Sequence, residues 1–238
     1  MRKLSVIFFA LIFSASAFSQ TTNKQIKLPN RAADHLMIQL GHNFWNGTAD
    51  TVTGFIKGFN RSANAYIMID KPFKNSPKLS AGIGIGVGTS NIYFKNMEVK
   101  IGATKSRLPF VRTDTGNHYK KYKLATAFLE IPVELRFMAH PETPNKSFKG
   151  ALGFKVGTLL SAHTKGKELE SAGGTKLSGP TVKESSKSYF NTTRISLTAR
   201  AGYGIFSLFG AYGITNIFKD GVAPVTRLGQ IGITISGL

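Results

Sequence analysis

The segment from Lys123 to Phe137 constrains the fold of this chain more than any other, because its two faces are inverted relative to a strand in water. Leu129, Ile131, Val133, Leu135 and Phe137 form an apolar stripe at period two, and Glu130, Pro132, Glu134 and Arg136 alternate with them. A half-buried strand in water turns its apolar face inward and its charges outward. Many further segments of the same kind follow an N-terminal leader. We therefore interpret the apolar side chains as lipid-facing and the charged ones as lining a closed barrel.

The first residues are typical of an export signal. Arg2 and Lys3 give a basic start, Leu4–Phe13 is apolar, and Ala17-Phe18-Ser19 is a small-x-small cleavage site. We predict a signal peptide over residues 1–19 and a polar periplasmic tail over residues 20–33. The apolar run is too short to cross a bilayer of about 30 Å as a helix.

Eight segments between residues 34 and 238 have the period-two alternation of outer-membrane barrel strands. They lie at about residues 34–45, 59–71, 79–94, 121–139, 147–163, 191–203, 205–218 and 226–236. Short turns alternate with long outer loops, which we predict at residues 47–58, 95–120, 164–190 and 218–225. The predicted fold class is all-β: a transmembrane antiparallel up-and-down β-barrel of about eight strands behind an N-terminal signal peptide.

Aromatic side chains flank the predicted strand ends, and we expect them to form girdles at the two membrane interfaces. Those near the long loops include Phe44, Trp45, Phe59, Tyr93, Phe94, Tyr119, Tyr122, Phe190 and Phe218. Those at the opposite end are Phe73, Phe137, Phe148, Tyr203 and Phe206.

Three segments carry a resemblance to a known family. The leader ending in Ser19-Gln20, the strand Phe128–Phe137 and the segment Gly210–Asp220 resemble the outer-membrane β-barrel domain family common in Bacteroidetes. Members of that family are similar to the small OmpA/OmpX-type barrels. The resemblance covers nearly the whole mature chain, but its motifs mark strands rather than a site. It implies an integral protein of the Gram-negative cell outer membrane, with outer-membrane lipid and the barrel assembly machinery as partners.

The formal net charge is +19, from 31 Lys and Arg against 12 Asp and Glu. These basic residues are spread over the predicted loops instead of one helix or stripe, which argues against nucleic acid as a partner. For an exported protein, the available polyanions are lipopolysaccharide phosphate and surface glycans. We expect solvated loops without a specific ligand, and the alternative is an anion-binding loop formed by residues 95–120 together with the adjoining Lys121. Its candidate residues are Lys105, Arg107, Arg112, Lys120 and Lys121.

Six charged side chains are predicted to point into the lumen: Glu130, Glu134, Arg136, Lys155, Arg194 and Arg200. The lumen of an eight-stranded barrel is just wide enough to be filled by side chains. Buried charges persist only when they are paired. We interpret these residues as a network of salt bridges that closes the lumen, and a charged conduction path is the alternative. The glycines of Gly82–Gly88 leave room for long opposing side chains such as Arg200.

No motif predicts catalysis, a cofactor or a metal site. The glycines of Gly82–Gly88 recur at a spacing of two inside a strand, unlike the G-x-G-x-x-G of a dinucleotide-binding loop. The chain has no cysteine, and its five histidines form no metal-binding pattern. Ser161 and His163, with Glu168 or Glu170 as the acid, keep open a lipid-modifying enzyme at the outer rim.

Together these observations predict a non-enzymatic outer-membrane barrel with a structural or surface-binding role. The alternatives are a narrow porin or transport channel, a subunit of a secretion or surface-attachment machine, and the less favoured rim enzyme. The ligand, any transported solute and the oligomeric state are left open by the sequence.

Overall fold

The computed structural model describes residues 35–113, 115–177, 179 and 181–236. The predicted signal peptide (residues 1–19) and tail (residues 20–33) lie outside the described residues. Within the described part of the chain, no helix combines the length and the apolar character that crossing a bilayer requires.

Long β-strands dominate the architecture. In chain order they are β1 (Leu36–Asn46), β2 (Arg61–Phe73), β3 (Ser76–Phe94), β4 (Met97–Val99), β5 (Phe110–Arg112), β6 (His118–Met138), β7 (Phe148–Glu170), β8 (Val182–Ser185), β9 (Thr193–Tyr203), β10 (Phe206–Gly213) and β11 (Arg227–Ser236). A one-turn helix, α1 (Asp50–Thr53), follows β1, and a 3₁₀ turn (Pro144–Lys146) precedes β7.

Eight of these strands form a closed wall in the order β1-β2-β3-β6-β7-β9-β10-β11, and every pairing is antiparallel. The wall closes where β11 returns to β1, with Ser236 opposite Met37 and Arg227 opposite Asn46. The predicted all-β, up-and-down barrel of eight strands is therefore confirmed. Closure matters in lipid because it leaves the wall without an open sheet edge.

The two faces of the wall are inverted relative to a soluble protein. On β2, Ile67 and Ile69 are 64% and 66% exposed, whereas Asn64 and Tyr66 on the alternate face are buried. On β11, Ile233 is exposed and Thr234 is fully buried. Apolar side chains therefore face outward and polar side chains face the lumen, as the alternation on β6 predicts.

The turns at one end of the barrel are short. The tightest joins β9 to β10, where Tyr203 and Phe206 face each other across Gly204 and Ile205. Gly204 has a positive φ of 62°, which suits glycine at the first central position of a two-residue hairpin turn. Longer connections occupy the opposite, outer end.

Two wall strands, β7 and β10, depart most from the lengths that the sequence predicts. β7 continues to Glu170 because β6 pairs with it as far as His118 opposite Glu170, so part of the predicted loop 164–190 is strand. β10 ends at Gly213 instead of about residue 218. The residues that follow leave the wall, and the Asn191 amide donates to the Ile217 carbonyl.

A β-bulge interrupts the pairing of β6 and β7. Ala127 lies opposite Ser161 and Phe128 lies opposite Leu159, so Leu160 is an extra residue on β7. Below the bulge, the even-numbered residues of β7, such as Leu152, face outward. Above it, odd-numbered residues such as Lys165 do so, since Lys165 lies opposite Lys123 of β6.

Candidate functional site

One group of charges in the lumen surrounds Glu130, which is 1% exposed. Arg194 donates to its carboxylate at 2.6 Å, and the Lys155 ammonium lies 3.2 Å from it. The Tyr66 hydroxyl donates to the same group at 2.5 Å. The Arg194 guanidinium also lies 3.9 Å from the Phe128 ring centroid. Strands β2, β6, β7 and β9 are thereby joined across the lumen.

A second group surrounds Glu134, four residues along β6. Its carboxylate accepts hydrogen bonds from Arg136 at 2.9 Å and from Arg200 at 3.0 Å. Arg136 also lies 3.6 Å from Asp70, which accepts a hydrogen bond from Ser80 at 2.7 Å. The structure thus brings all six predicted lumen residues into two groups, and Asp70 and Tyr66 join them. Both additional residues lie on the polar face of β2, which the alternation could have revealed.

Glycines on β3 and β7 make room for these long side chains. A Cβ atom at Gly82 would lie 2.6 Å from Nε of Arg136, and one at Gly157 would lie 2.8 Å from Cγ of Glu130. The space at Gly88 is occupied by Glu130 as well. Long side chains therefore use the room that these glycines leave, but the nearest ones are Arg136 and Glu130 of β6, the strand next to β3, instead of Arg200.

Two small cavities lie beside the charged side chains of the lumen. One cavity of about 20 Å³ lies beside Arg194 and Phe128, and another of about 10 Å³ lies beside Glu134 and Lys155. A water molecule needs a cavity of roughly 10–15 Å³. Neither cavity therefore has room for more than one or two water molecules, and the smaller has room for one at most.

The outer connections are folded over the barrel mouth in what we call the outer cap: α1, the β4–β5 hairpin, and the segments 189–190 and 217–223. A buried apolar cluster holds it to the inner face of the wall. Its members include Ile92, Phe94, Val99, Ile101, Tyr122, Leu124, Phe190 and Phe218. Trp45 packs edge-on against Phe94 and Phe218, with ring centroids 5.8 and 5.6 Å apart.

The prediction that Phe94, Tyr122, Phe190 and Phe218 form a lipid girdle is wrong, because these side chains are 0–5% exposed within the outer cap. The alternation of inward and outward residues along β3 already indicates that Phe94 is buried. Gly82 and Gly88 face inward, so Phe94, an even number of residues away, faces inward as well. At the opposite end, Phe137 and Phe148 are 47% and 67% exposed on the outer face.

Polar contacts also order the outer cap. The Tyr122 hydroxyl donates to the Val99 carbonyl at 2.9 Å and accepts from the Val99 amide at 3.1 Å. Burial raises the pKa of Tyr122 to about 12. A hydrogen bond to Glu98 raises the pKa of Lys100, although partial burial opposes this shift.

A family comparison matches this architecture. The model of the outer membrane protein beta-barrel domain matches residues 18–219. The chain belongs to this family. No curated protein matches the chain. As a member of the family with a closed barrel, it is an outer-membrane protein, and the side chains on the outward apolar band contact lipid.

The five residues predicted for an anion-binding loop of this outer-membrane barrel have separate surroundings. Lys120 and Lys121 pair with Glu170 and Glu168 of β7, at 3.2 and 2.5 Å. The Arg112 guanidinium lies over the Phe55 ring at 4.9 Å. The Lys105 carbonyl accepts a hydrogen bond from Tyr189. Arg107 lines a surface cleft of about 350 Å³ with Leu108 and residues 221–224.

The rim residues of the enzyme alternative lie on β7 near the bulge. Ser161 and His163 lie opposite Ala127 and Ala125, on the outer face of the wall. The two candidate acids, Glu168 and Glu170, are engaged by lysines of β6. Among the described residues, no group of three or more His, Asp or Glu side chains is placed to hold a metal ion.

Proposed function

We propose that this outer-membrane barrel has a structural and surface-binding role, with a lumen closed by its charged side chains and a folded outer cap that presents the binding surface. The observation that carries the proposal is the pairing of Glu130 and Glu134 with cations from neighbouring and opposite strands. The two cavities beside these groups, of about 10 and 20 Å³, support it, because a general pore needs a continuous water path.

The surface-binding part is supported by the cleft on the outer cap. Its volume of about 350 Å³ lies at the lower end of the range for small-ligand sites, and Arg107 supplies a positive charge at its edge. Arg side chains bind carboxylate and phosphate groups in bidentate geometry. The proposed ligand class is therefore an anionic group of a surface glycan.

Conductance tests the closed lumen. The purified full-length chain in a planar lipid bilayer is expected to give no single-channel steps, with a general porin as the positive control for the assay. Steps whose size or ion selectivity changes in Glu134→Gln or Arg136→Gln would contradict closure and favour the narrow channel.

Ligand retention tests the surface role. Dextran sulfate beads are expected to retain the detergent-solubilised protein, whereas neutral dextran beads are not, and Arg107→Gln should weaken retention. Lys78→Gln is the matched control, because Lys78 is an exposed cation near the start of β3, beside the β2–β3 turn at the other end of the barrel. Equal retention of both variants, or retention that is indifferent to salt, would contradict the proposal.

A further inference from the structure

A group of cations stands on the outer face of the wall, beyond the lipid-facing band. On β6 the outward residues run from Phe137 through Leu135, Val133, Ile131 and Leu129 to Ala127, Ala125, Lys123 and Lys121. Neighbouring strands carry further basic residues at the same level. We call this group the cationic belt: Arg61, Lys121, Lys123, Lys165, Lys167 and Lys183.

The strand register places like charges directly opposite each other within the cationic belt. Lys123 lies opposite Lys165, Lys121 opposite Lys167, and Lys165 opposite Lys183. Directly opposed residues share one face with Cβ atoms about 5 Å apart, and like charges in this arrangement are destabilising. The fold therefore holds three adjacent lysines, Lys123, Lys165 and Lys183, against their mutual repulsion.

Carboxylates compensate only one edge of the cationic belt. Glu168 pairs with Lys121 at 2.5 Å, while Glu184 faces the Gly102 amide at 3.4 Å. Lys123 donates to the neutral Asn91 side chain at 2.7 Å. Within the described ranges, no carboxylate pairs with Lys123, Lys165 or Lys183.

Nearby titratable groups respond to this concentration of positive charge. Partial burial and then Lys165, Lys167 and Arg61 lower the pKa of Lys123. Partial burial and then Lys183, Lys123 and Lys165 lower the pKa of His163, which lies one outward position closer to the lipid-facing band. The smaller part of each shift comes from these neighbouring cations, which agrees with the close spacing that the strand register imposes.

The level of the cationic belt fits a lipid headgroup. Lys123 lies four residues beyond Ala127, which corresponds to about 10 Å along the barrel axis for a strand tilted by about 40°. Long lysine side chains extend back toward the interface while their stems cover apolar surface. Aromatic rings occupy the same level: the Arg61 guanidinium lies 5.6 Å from the Phe59 ring and 5.8 Å from the Tyr93 ring. Such rings favour headgroup depth.

We propose that the cationic belt binds the phosphate groups of a glycolipid headgroup in the outer leaflet, with Lys123, Lys165 and Lys183 as the principal contacts. Charge complementarity and the position directly above the lipid-facing band identify this occupant. The proposal depends on the location of the barrel in the outer membrane and does not depend on whether its lumen is closed.

The test uses the full-length chain in phosphatidylcholine nanodiscs that contain a bisphosphorylated glycolipid, with retained lipid counted by native mass spectrometry. The variant Lys123→Gln/Lys165→Gln/Lys183→Gln should bind the glycolipid roughly a hundredfold more weakly, at about 1 kcal/mol for each basic side chain near a charged surface. The matched control, Lys176→Gln/Lys187→Gln/Lys219→Gln, removes the same charge from exposed positions elsewhere in the outer loops and should bind like the wild type.

Stability measurements separate lost binding from lost folding. In neutral detergent without glycolipid, the belt variant should unfold at the wild-type temperature or above, because the opposed lysines no longer repel each other. Adding the phosphorylated glycolipid should raise the unfolding temperatures of the wild type and of the matched control, but not that of the belt variant. The dephosphorylated glycolipid and inorganic phosphate should each leave it unchanged.

Three results would overturn the proposal. If the belt variant bound the glycolipid within threefold of the wild type, Lys123, Lys165 and Lys183 would not be the principal contacts. Equal losses of affinity in both triple variants would indicate diffuse charge attraction. Inorganic phosphate that matches the effect of the glycolipid would identify a site for a free anion instead of a lipid headgroup.

Discussion

Replacing Glu130 by Gln tests the network in the lumen most directly, because the change removes one charge and keeps the shape of the side chain. The Glu130 carboxylate forms ion pairs with Arg194 at 2.6 Å and with Lys155 at 3.2 Å. At an effective dielectric constant of about 20, each pair attracts with roughly 5–6 kcal/mol before the cost of desolvation. Without the carboxylate, two buried cations face each other with one carboxylate fewer in the lumen.

Breaking a buried pair by removing one partner typically costs about 3–5 kcal/mol. We therefore expect Glu130→Gln to lower the free energy of unfolding by about 3–5 kcal/mol. Urea unfolding of the protein in lipid vesicles, followed by the heat-modifiable mobility of the folded barrel on gels, measures this change. Glu142→Gln is the control, because Glu142 is exposed in the turn before β7 and should change stability by less than about 0.5 kcal/mol.

A double variant sharpens the test. Adding Lys155→Met to Glu130→Gln removes one of the two uncompensated cations, so it should recover part of the lost stability. A Glu130→Gln protein within about 1 kcal/mol of the wild type, or no recovery in the double variant, would refute the view that charge pairing holds this part of the lumen together.

Three further predictions concern glycine packing, the outer cap and its buried phenol. Gly82→Ala should lower the free energy of unfolding by about 1–3 kcal/mol, because its Cβ would meet Arg136. Gly210→Ala, on the open outer face, should leave it nearly unchanged, and chemical unfolding measures both. Phe218→Ala should lower the stability of the outer cap by about 3–5 kcal/mol and expose the outer loops to added protease without unfolding the wall. Protection of the outer cap should fall as pH rises from about 10 through about 12, because burial raises the pKa of Tyr122 to about 12 above its unfolded value. Tyr122→Phe should remove this pH dependence.

The wall could be predicted from the sequence because lipid and lumen impose opposite demands on alternate residues. On β6, Ile131 and Glu134 differ in polarity so strongly that their faces are fixed by period two alone. The same rule placed Lys155 and Arg200 inside. Their partners within the lumen depend on strand stagger, so the sequence did not reveal that Arg136 fills the space beside Gly82.

The outer cap was missed for a related reason. Aromatic residues at strand ends suit both a lipid girdle and a buried cluster, and composition does not separate the two. Phe94 and Tyr122 face inward by parity, but Phe190 and Phe218 lie in connections where no period applies. The opposed lysines of the cationic belt were hidden as well, because Lys183 lies in what the sequence predicts as a loop and its pairing with Lys165 depends on β8.

The extra residue at Leu160 lets the embedded part and the exterior part of β7 present different sets of residues to the outside, which one regular strand could not do. Between the short turns and the bulge, the outward side chains of β7 meet lipid hydrocarbon. Beyond the bulge they meet water and sugar, and the outward positions change from even to odd residue numbers. Consequently, we expect the part of β7 beyond the bulge to accept changes in length or in side-chain chemistry. The part within the fatty acyl chains would keep its register with the neighbouring strands.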